Sequence, residues 1–410
     1  MIRDKSIICF GGEDWWYHHP HSKNHLMRRF ARAGNRVMFV NSISMGLPSL
    51  GSSALFAKIR RKLPSYARMV RRAEDGLIVV TPVTLPFYSN PLCRILNRFL
   101  LAWQMRLLMV AFDLRDPILW IAIPTAAEVA GRLGEQLLVY QVSDKYEANR
   151  MDHATSSDTI ATMHHKMLDK ADIIYFSGRK LYEEETTAIP EIAARSKLLQ
   201  QAVDFDHFAA ATLDNPDLGF PNGPPADILG IPKPRLGYFG AIETWLLDQD
   251  LIRYVSSQRP EWQWIFIGLK TGPLDIEALP NVHYLGSKPY SELPGYAREF
   301  QVCVLPWTTN NEFVSYGSPI KVREYLATGK PVVITPLYEY ESMDGILRIA
   351  RDYGDFIRKV EDALTKDTEA QRCARQQAIE SSTWNVRAEE VSDDLAALIE
   401  HPSKHHRSLV

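Results

Sequence analysis

Ser318-Pro319-Ile320-Lys321-Val322-Arg323-Glu324-Tyr325-Leu326-Ala327-Thr328-Gly329, followed by Lys330-Pro331-Val332-Val333-Ile334-Thr335, reads as a helix feeding a strand. Ser318 suits the N-cap, Pro319 the first helical position and Gly329 the left-handed stop. Val332 to Thr335 is a short buried strand. Lys321 is the odd residue, because a helix macrodipole disfavours a cation in the first turn. A lysine beside the free N–H groups of a helix N-terminus makes an anion site, and phosphate is the usual anion. Glu324 lies one turn on and shares the face of Lys321. A carboxylate there suits the hydroxyls of a ribose. Lys321 and Glu324 together describe a nucleotide-diphosphate pocket, with Tyr316, Gly317 and Ser318 placed to line it. Arg323 points elsewhere on the helix and reads as a surface residue.

This segment resembles the donor-binding helix of GT-B glycosyltransferases, especially glycosyltransferase family 4 and its bacterial polysaccharide relatives. Their pattern is roughly Ser-Pro-x-Lys-x-x-Glu-Tyr-x-Ala-x-Gly-x-Pro-Val-Val. Weaker likenesses follow in the right order. Gln201 to Phe208 looks like the end of a first domain, Asn281 to Gly286 and Val302 to Trp307 like the strands before the donor helix, and Trp384 to Arg387 like the start of a helix crossing back. The resemblance is thin before residue 130. Family 4 members with a retaining outcome usually carry two glutamates with seven residues between them. Here the second is Glu324 and the first position holds Tyr316, with Glu312 too far upstream to replace it. The cations that many members carry after the first strand of the second domain are missing from Gly240-Ala241-Ile242-Glu243-Thr244-Trp245. In this last respect the chain is similar to xanthan-type glucuronosyltransferases. These place a lysine where Lys321 stands and a proposed base in a context like Val139-Tyr140-Gln141-Val142-Ser143-Asp144. The family 4 likeness implies retention and the second likeness an inverting base, so both outcomes stay open.

The resemblance implies an α/β chain of GT-B type: two Rossmann-like domains facing each other across a cleft, with a C-terminal helix crossing back. The expected division is 1–205 for acceptor, 206–383 for nucleotide sugar, 384–400 for the crossover helix and 401–410 for a tail. Composition agrees with two α/β domains. The chain has 410 residues, 46% hydrophobic and 23% charged, enough for two cores. A net charge of −2 argues against nucleic acid as a partner. Cys9, Cys93, Cys303 and Cys373 are too widely spaced for a metal motif and read as free thiols of a reducing compartment. The apolar run Ile7 to Phe10 is too short for a signal peptide.

Short apolar runs alternate with helical stretches. In the first half they are Ser6–Phe10, Val37–Asn41, Ile78–Thr81, Ile118–Ile121, Leu137–Val142 and Ile173–Phe176. In the second half they are Arg235–Phe239, Trp264–Ile267, Val282–Leu285, Val302–Leu305 and Val332–Ile334. That alternation predicts parallel, doubly wound sheets. Asn215 to Pro234 reads as a linker rich in Pro and Gly. Arg94 to Phe112 is apolar but interrupted by Arg98 and Arg106, so an amphipathic, partly buried helix is expected. Lys58 to Arg72 carries seven basic residues and no acid, interleaved with Leu63, Tyr66 and Met69. Residues 55–72 therefore read as an element that meets an anionic membrane surface.

Gly11-Gly12 follows the first strand, where an open α/β sheet binds ligands, and lets backbone N–H groups approach an anion. His18, His19 and His21 lie in the next loop among Trp15, Trp16 and Tyr17 and are candidate acceptor ligands. No zinc spacing is present, and neither metal nor cofactor is expected beyond the nucleotide sugar as co-substrate. Asp144 ends a strand and is a candidate general base, with an N-cap as the bland alternative. The sequence thus points to a glycosyltransferase. It moves sugar from a nucleotide-diphosphate donor to a glycan or lipid-linked acceptor in cell-surface polysaccharide synthesis. The expected location is cytoplasmic, peripheral on the inner membrane face. A sugar-nucleotide epimerase on the same fold and an inactive binding subunit are the alternatives.

Overall fold

The structure is a computed structural model that describes residues 1–16, 19–41, 69–85, 90–146, 157–212 and 224–401. The chain divides into unit 1, Met1–Gln200 with Asn385–Val410, and unit 2, Gln201–Trp384. Residues 201–205 side with unit 2 because Val203 bridges to Thr383, its N–H donating to Ser382 O at 3.0 Å.

Unit 1 is built on β1 (Ser6–Phe10), β2 (Arg36–Val40), β3 (Val70–Glu74), β4 (Leu77–Val80), β5 (Ile118–Ile121), β6 (Leu137–Val142), β7 (Ile173–Phe176) and β8 (Ser196–Leu198). Their order in the sheet is β3-β4-β2-β1-β5-β6-β7-β8, parallel except for β3 against β4. Helices α1 (Ser22–Arg32), α2 (Pro91–Ala111), α3 (Ser157–Lys170) and α4 (Arg179–Ala188) supply connections. The central strands are buried along their whole length, as strands covered on both faces must be. Trp120 of β5 stacks on Tyr175 of β7 at 5.7 Å. Below them Ala388, Val391 and Leu395, spaced three and four residues apart, bury one face of α9 (Trp384–Glu400) in the same core. Tyr175 Oη fixes the helix by donating to Asp394 Oδ2 at 3.0 Å.

Unit 2 repeats the plan with β9 (Arg235–Phe239), β10 (Gln263–Ile267), β11 (Val282–Tyr284), β12 (Val302–Leu305), β13 (Val332–Ile334) and β14 (Arg348–Ile349). The order is β11-β10-β9-β12-β13-β14, all parallel. Its longer helices are α5 (Gln249–Gln258), α6 (Ile320–Ala327), α7 (Tyr353–Thr365) and α8 (Glu369–Glu380). Each sheet has one place where the winding reverses, between β1 and β5 in unit 1 and between β9 and β12 in unit 2. Loops diverge there and leave a crevice at the carboxyl ends of the strands.

The apolar runs read from sequence all become strands, within a residue or two at their ends. Three strands had been missed: β3, β8 and β14. All three lie at sheet edges, where one side faces solvent and polar residues replace the apolar run. β3 did carry a signal, the Asp75-Gly76 turn that folds it back on β4, with Gly76 at φ 73°. The basic stretch read as a membrane element ends inside β3. Residues 55–68 of it, like 402–410 and residues 215–223 of the expected linker, lie outside the described residues.

Gly237, at the centre of β9, has no room for a side chain: a Cβ would stand within 2.0–2.2 Å of the Phe300 ring. Gly237→Ala is expected to lower unfolding stability by about 1–3 kcal/mol through overpacking. Urea denaturation measures the loss, and the added substitution Phe300→Leu should recover part of it.

Candidate functional site

In unit 2 the crevice between β9 and β12 is occupied by Lys321. Helix α6 begins one residue later than the sequence suggested. Pro319 is the N-cap, with φ −67° and ψ 123°, and its carbonyl accepts from Val322 N–H at 3.3 Å and from Tyr340 Oη at 2.8 Å. Ser318 is therefore not the cap. It is buried, and its hydroxyl has no hydrogen-bond partner in the protein. Gly329 takes the left-handed conformation, φ 70°, that ends the helix.

Lys321 sits in the first turn of α6 and reaches across to the neighbouring strands. Its Nζ donates to Tyr238 Oη at 2.6 Å and to Ala241 O at 3.1 Å. The ammonium also lies 4.4 Å from the Tyr238 ring centroid and 5.4 Å from that of Trp307. Gly240 makes room for it. A Cβ there would stand 3.1 Å from Lys321 Cε, and φ is 117°. Trp307, which follows β12, packs its ring edge 3.3 Å from where a Gly317 Cβ would be. Its buried indole N–H, like the Ser318 hydroxyl, has no partner in the protein. A cation, an unpaired indole N–H and an unpaired hydroxyl thus occupy one loop cluster. Unpaired buried donors are costly, and an anionic ligand would satisfy them.

Glu324 is buried, at 8% exposure. Loss of hydration pushes its carboxyl up to about 8; Lys321 pulls it down, Asp204 pushes it up, and a hydrogen bond from Tyr290 favours the ionised form. The Tyr290 hydroxyl lies 3.4 Å from both Glu324 Oε1 and Asp204 Oδ2, and its single proton serves one carboxylate at a time. Tyr290 is held by stacking on His207 at 4.8 Å. Lys321 and Glu324 share a face, as read from sequence, but the pair is not a solvated surface ion pair. Arg323 is corrected outright. It is buried, 3.5 Å from Glu339, with its guanidinium 5.8 Å over the Tyr340 ring. Tyr316 caps the short helix Glu312–Ser315, and Gly317 N–H donates to Val314 O at 2.9 Å. Trp245 packs edge-on against Phe313 at 5.3 Å.

Unit 1 assembles a second cluster at the carboxyl ends of β1 and β6. Gln141, fully buried in β6, ties the start of α1 to the sheet. It accepts from Trp120 Nε1 and donates to Ser22 Oγ, both at 3.0 Å. Ser22 is thereby a strut, while His21 is the N-cap and its N–H donates to Asn24 Oδ1 at 2.9 Å. The strut delivers Lys23 to the strand ends, where its Nζ meets Glu13 Oε1 at 2.7 Å with 4% exposure. Burial works against the Lys23 ammonium, but Glu13, Tyr146 and Asp144 outweigh it and raise its pKa. Asp144 is half-buried, and loss of hydration pushes its carboxyl up to about 6; Lys23 lowers it and Glu13 raises it. Tyr146 Oη donates to Ala122 O at 2.6 Å.

The glycine pair after β1 is built for packing. Gly11 N–H donates to Val40 O at 3.2 Å, so it is committed to the β1–β2 ladder and not offered to an anion. A Cβ on Gly11 would strike the Phe39 ring, and one on Gly12, at φ 86°, would strike Ile123. Of the three candidate histidines, His21 Nδ1 lies 3.9 Å from Glu13 Oε1. His19 lies in the same loop, and His18 lies outside the described residues. Sequence reading missed Tyr238, Trp307, Tyr290 and Asp204 in unit 2 and Lys23 in unit 1. A lysine inside the first turn of α1 repeats the signal that had singled out Lys321. Among the described residues no group of three His, Cys, Asp or Glu side chains is placed to hold a metal ion.

Residues 233–366 match the family described as Glycosyl transferases group 1. The Bacillus subtilis (strain 168) chain described as the teichuronic acid biosynthesis glycosyltransferase TuaH is 24% identical over 289 residues, covering 65% of this chain and 68% of that one. Among solved structures, sucrose-phosphate synthase from Thermosynechococcus elongatus superposes with a TM-score of 0.67 at 15% identity, covering 97% of this chain and all of that one. Anabaena HepE in complex with UDP-glucose gives 0.60 at 13% identity, over 96% of this chain and 100% of its own. These likenesses bear out the GT-B fold and the glycosyltransferase reading.

The burial of Glu324 makes a prediction about stability. Its folded carboxyl titrates near 8 and its unfolded one near 4.5, so folding holds a proton that the unfolded chain releases between those values. Wild-type stability therefore falls as pH rises through that window. Glu324→Gln lacks the titration, so its melting temperature should gain on wild type from pH 5 to pH 8 in scanning calorimetry. Parallel curves would mean that Glu324 ionises as freely folded as unfolded.

Proposed function

We propose that this glycosyltransferase of the GT-B fold transfers a sugar from a uridine diphosphate sugar to a glycan or lipid-linked acceptor in cell-surface polysaccharide synthesis, working peripherally at a membrane. The observation that carries the donor half is the Lys321 cluster: a cation, an unpaired indole N–H and an unpaired hydroxyl at the crevice of the unit 2 sheet. In this reading Lys321 and the N-terminus of α6 take the diphosphate, Ser318 its nearest oxygen, and Glu324 the ribose hydroxyls. Support for uridine comes from HepE, whose structures hold UDP and UDP-glucose. Support for a polysaccharide acceptor comes from the teichuronic acid role given to TuaH.

Each cluster has its own task in this reading. An acceptor hydroxyl attacks the anomeric carbon, and the bond from that carbon to the β-phosphate oxygen breaks. The bonding electrons leave with the diphosphate, whose charge Lys321 neutralises, so the reaction proceeds without a metal. The hydroxyl proton goes to Asp144. A carboxyl poised near 6 is mostly ionised at neutral pH, and desolvation leaves it more basic than an ordinary aspartate. Lys23, bonded to Glu13, holds the negative charge of that cluster in check. His19 and His21 flank the acceptor.

A panel of UDP- and GDP-sugars tests the donor assignment through release of the nucleoside diphosphate. UDP-sugar turnover is expected, and Lys321→Ala should lower it by about 100-fold, the usual worth of one group stabilising a leaving anion. Retained turnover in that variant would move the diphosphate elsewhere. Isomerised sugar, with none transferred, would instead identify an epimerase.

UDP affinity should rise about tenfold from pH 7 to pH 9, because ligation by ionised Glu324 requires loss of its proton near 8. Calorimetry in buffers of different ionisation enthalpy would show the proton released, and Glu324→Gln should bind UDP without that dependence.

Asp144→Asn should leave UDP binding nearly intact and cut transfer by ~10²–10⁴. At saturating donor, wild-type kcat should climb as pH rises through about 6 and then level. An active variant, or a product with the donor's own anomeric configuration, would reduce Asp144 to a structural role.

A further inference from the structure

Helix α2 turns toward solvent the face that a globular protein ordinarily buries. Leu92, Leu96, Phe99, Trp103, Leu107 and Val110 recur at intervals of three and four residues, so they fall within roughly 80° of the helix circumference. Every one is exposed, Phe99 at 59%, Trp103 at 60% and Val110 at 84%. Single exposed leucines need no explanation, but a continuous stripe along a 21-residue helix does.

The opposite face shows that this orientation is fixed. Leu101 and Met105 are in the core. Asn97 and Gln104, seven residues apart, clamp the extended segment that precedes the helix. Asn97 accepts from Leu85 N–H at 2.7 Å and donates to Leu85 O at 2.8 Å. Gln104 accepts from Val83 N–H at 2.9 Å and donates to Val83 O at 2.8 Å. Rotating α2 to hide its apolar stripe would break four hydrogen bonds of two buried amides.

Charge indicates what covers the stripe. The helix carries Arg94, Arg98 and Arg106 and no Asp or Glu. Arg98 is matched by Glu128 at 3.0 Å. Arg106 donates to the Arg132 carbonyl at 2.7 Å, and the Arg132 guanidinium lies 5.8 Å over the Phe99 ring. Cations therefore border the aromatic part of the stripe. A second copy of the chain paired through this face would set those arginines against their equivalents without a carboxylate on the helix to meet them. An anionic headgroup layer supplies the missing charge, the acyl boundary takes the leucines, and Trp103 suits the level between them. No described helix is long and apolar enough to cross a membrane, and the clamped face of α2 cannot leave its unit.

We propose that α2 is a membrane-docking helix of this protein, its apolar stripe lying in the interface of a bilayer that contains anionic lipid, with Arg106 and Arg132 against the phosphates. This deepens the reading of a peripheral enzyme and rests on it for biological purpose, whereas the physical evidence is the helix itself. The sequence had pointed to residues 55–72 for the same role.

The test uses the full chain and flotation with vesicles of phosphatidylglycerol and phosphatidylcholine, against phosphatidylcholine alone, without nucleotide. Wild type should float with the mixed vesicles. The double substitution Phe99→Ser with Trp103→Ser, which leaves net charge unchanged, should weaken partitioning at least tenfold. It should do so while circular dichroism and UDP affinity stay at wild-type values. Brominated lipid should quench tryptophan fluorescence in wild type and lose part of that quenching in Trp103→Phe. Equal flotation of wild type and the double variant overturns the proposal. So does a wild type that ignores vesicles, whether monomeric or a dimer that the double substitution dissociates. Loss of UDP binding by wild type would sink the donor assignment but leave the vesicle result intact, so the two failures are separable.

Discussion

Lys321 sits where its own helix repels it. The N-terminal turn of α6 carries partial positive charge, and an ammonium there must be held by something stronger than its local sequence. What holds it comes from β9 and the loop beyond: the Tyr238 hydroxyl, the Ala241 carbonyl and the faces of Tyr238 and Trp307. These groups meet only because β9 and β12 are neighbours in the sheet, although 62 other residues separate Phe239 from Val302 in the chain. Gly240 is a glycine for the same reason, since a side chain there would press on the lysine stem. The cation in turn sets the balance at Glu324, whose burial would otherwise drive its carboxyl higher still.

Unit 1 solves a related problem with different residues. Its central strands end in a Lys23–Glu13 pair, the lysine buried and the carboxylate partly so, beside Asp144. A buried ion pair of this kind is weak evidence for stability, because removing two charges from water costs about what their attraction returns. Its presence at the carboxyl ends of parallel strands, where ligands bind in open α/β sheets, is better explained by chemistry than by folding. Gln141 ties the start of α1 to the sheet through Trp120 and Ser22, while Leu26, Met27 and Phe30 pack the rest of the helix into the core.

In unit 1 the charged cluster and α2 place different demands on one fold. Charged groups at strand ends need a rigid, dry surround, which the buried strands and stacked aromatics supply. Helix α2 instead leaves a full apolar stripe uncovered while its inner face is clamped. Folding alone gains nothing from that arrangement, so its justification lies outside the chain.

Local sequence determined the periodicity. Runs such as Leu137–Val142 and Arg235–Phe239 became strands at the residues read, because an apolar run of that length has few other buried forms. The stretch from 318 to 335 declared its helix, its glycine stop and its strand, and with them the likeness to glycosyltransferases. The glycosyltransferase assignment followed from that motif. Edge strands β3, β8 and β14 escaped because a strand that is half solvated needs no apolar run. Tertiary structure alone decided which side chains meet. Arg323 looked like a surface residue on its helix until Glu339 and Tyr340 closed over it. Gly11-Gly12 looked like an anion cradle until Val40 claimed the first amide and Phe39 and Ile123 filled the space. Tyr238 reaches Lys321, and Gln141 reaches Ser22, across 83 and 119 residues of chain. Those meetings are set by strand order, a property of the whole sheet that no local window of sequence contains.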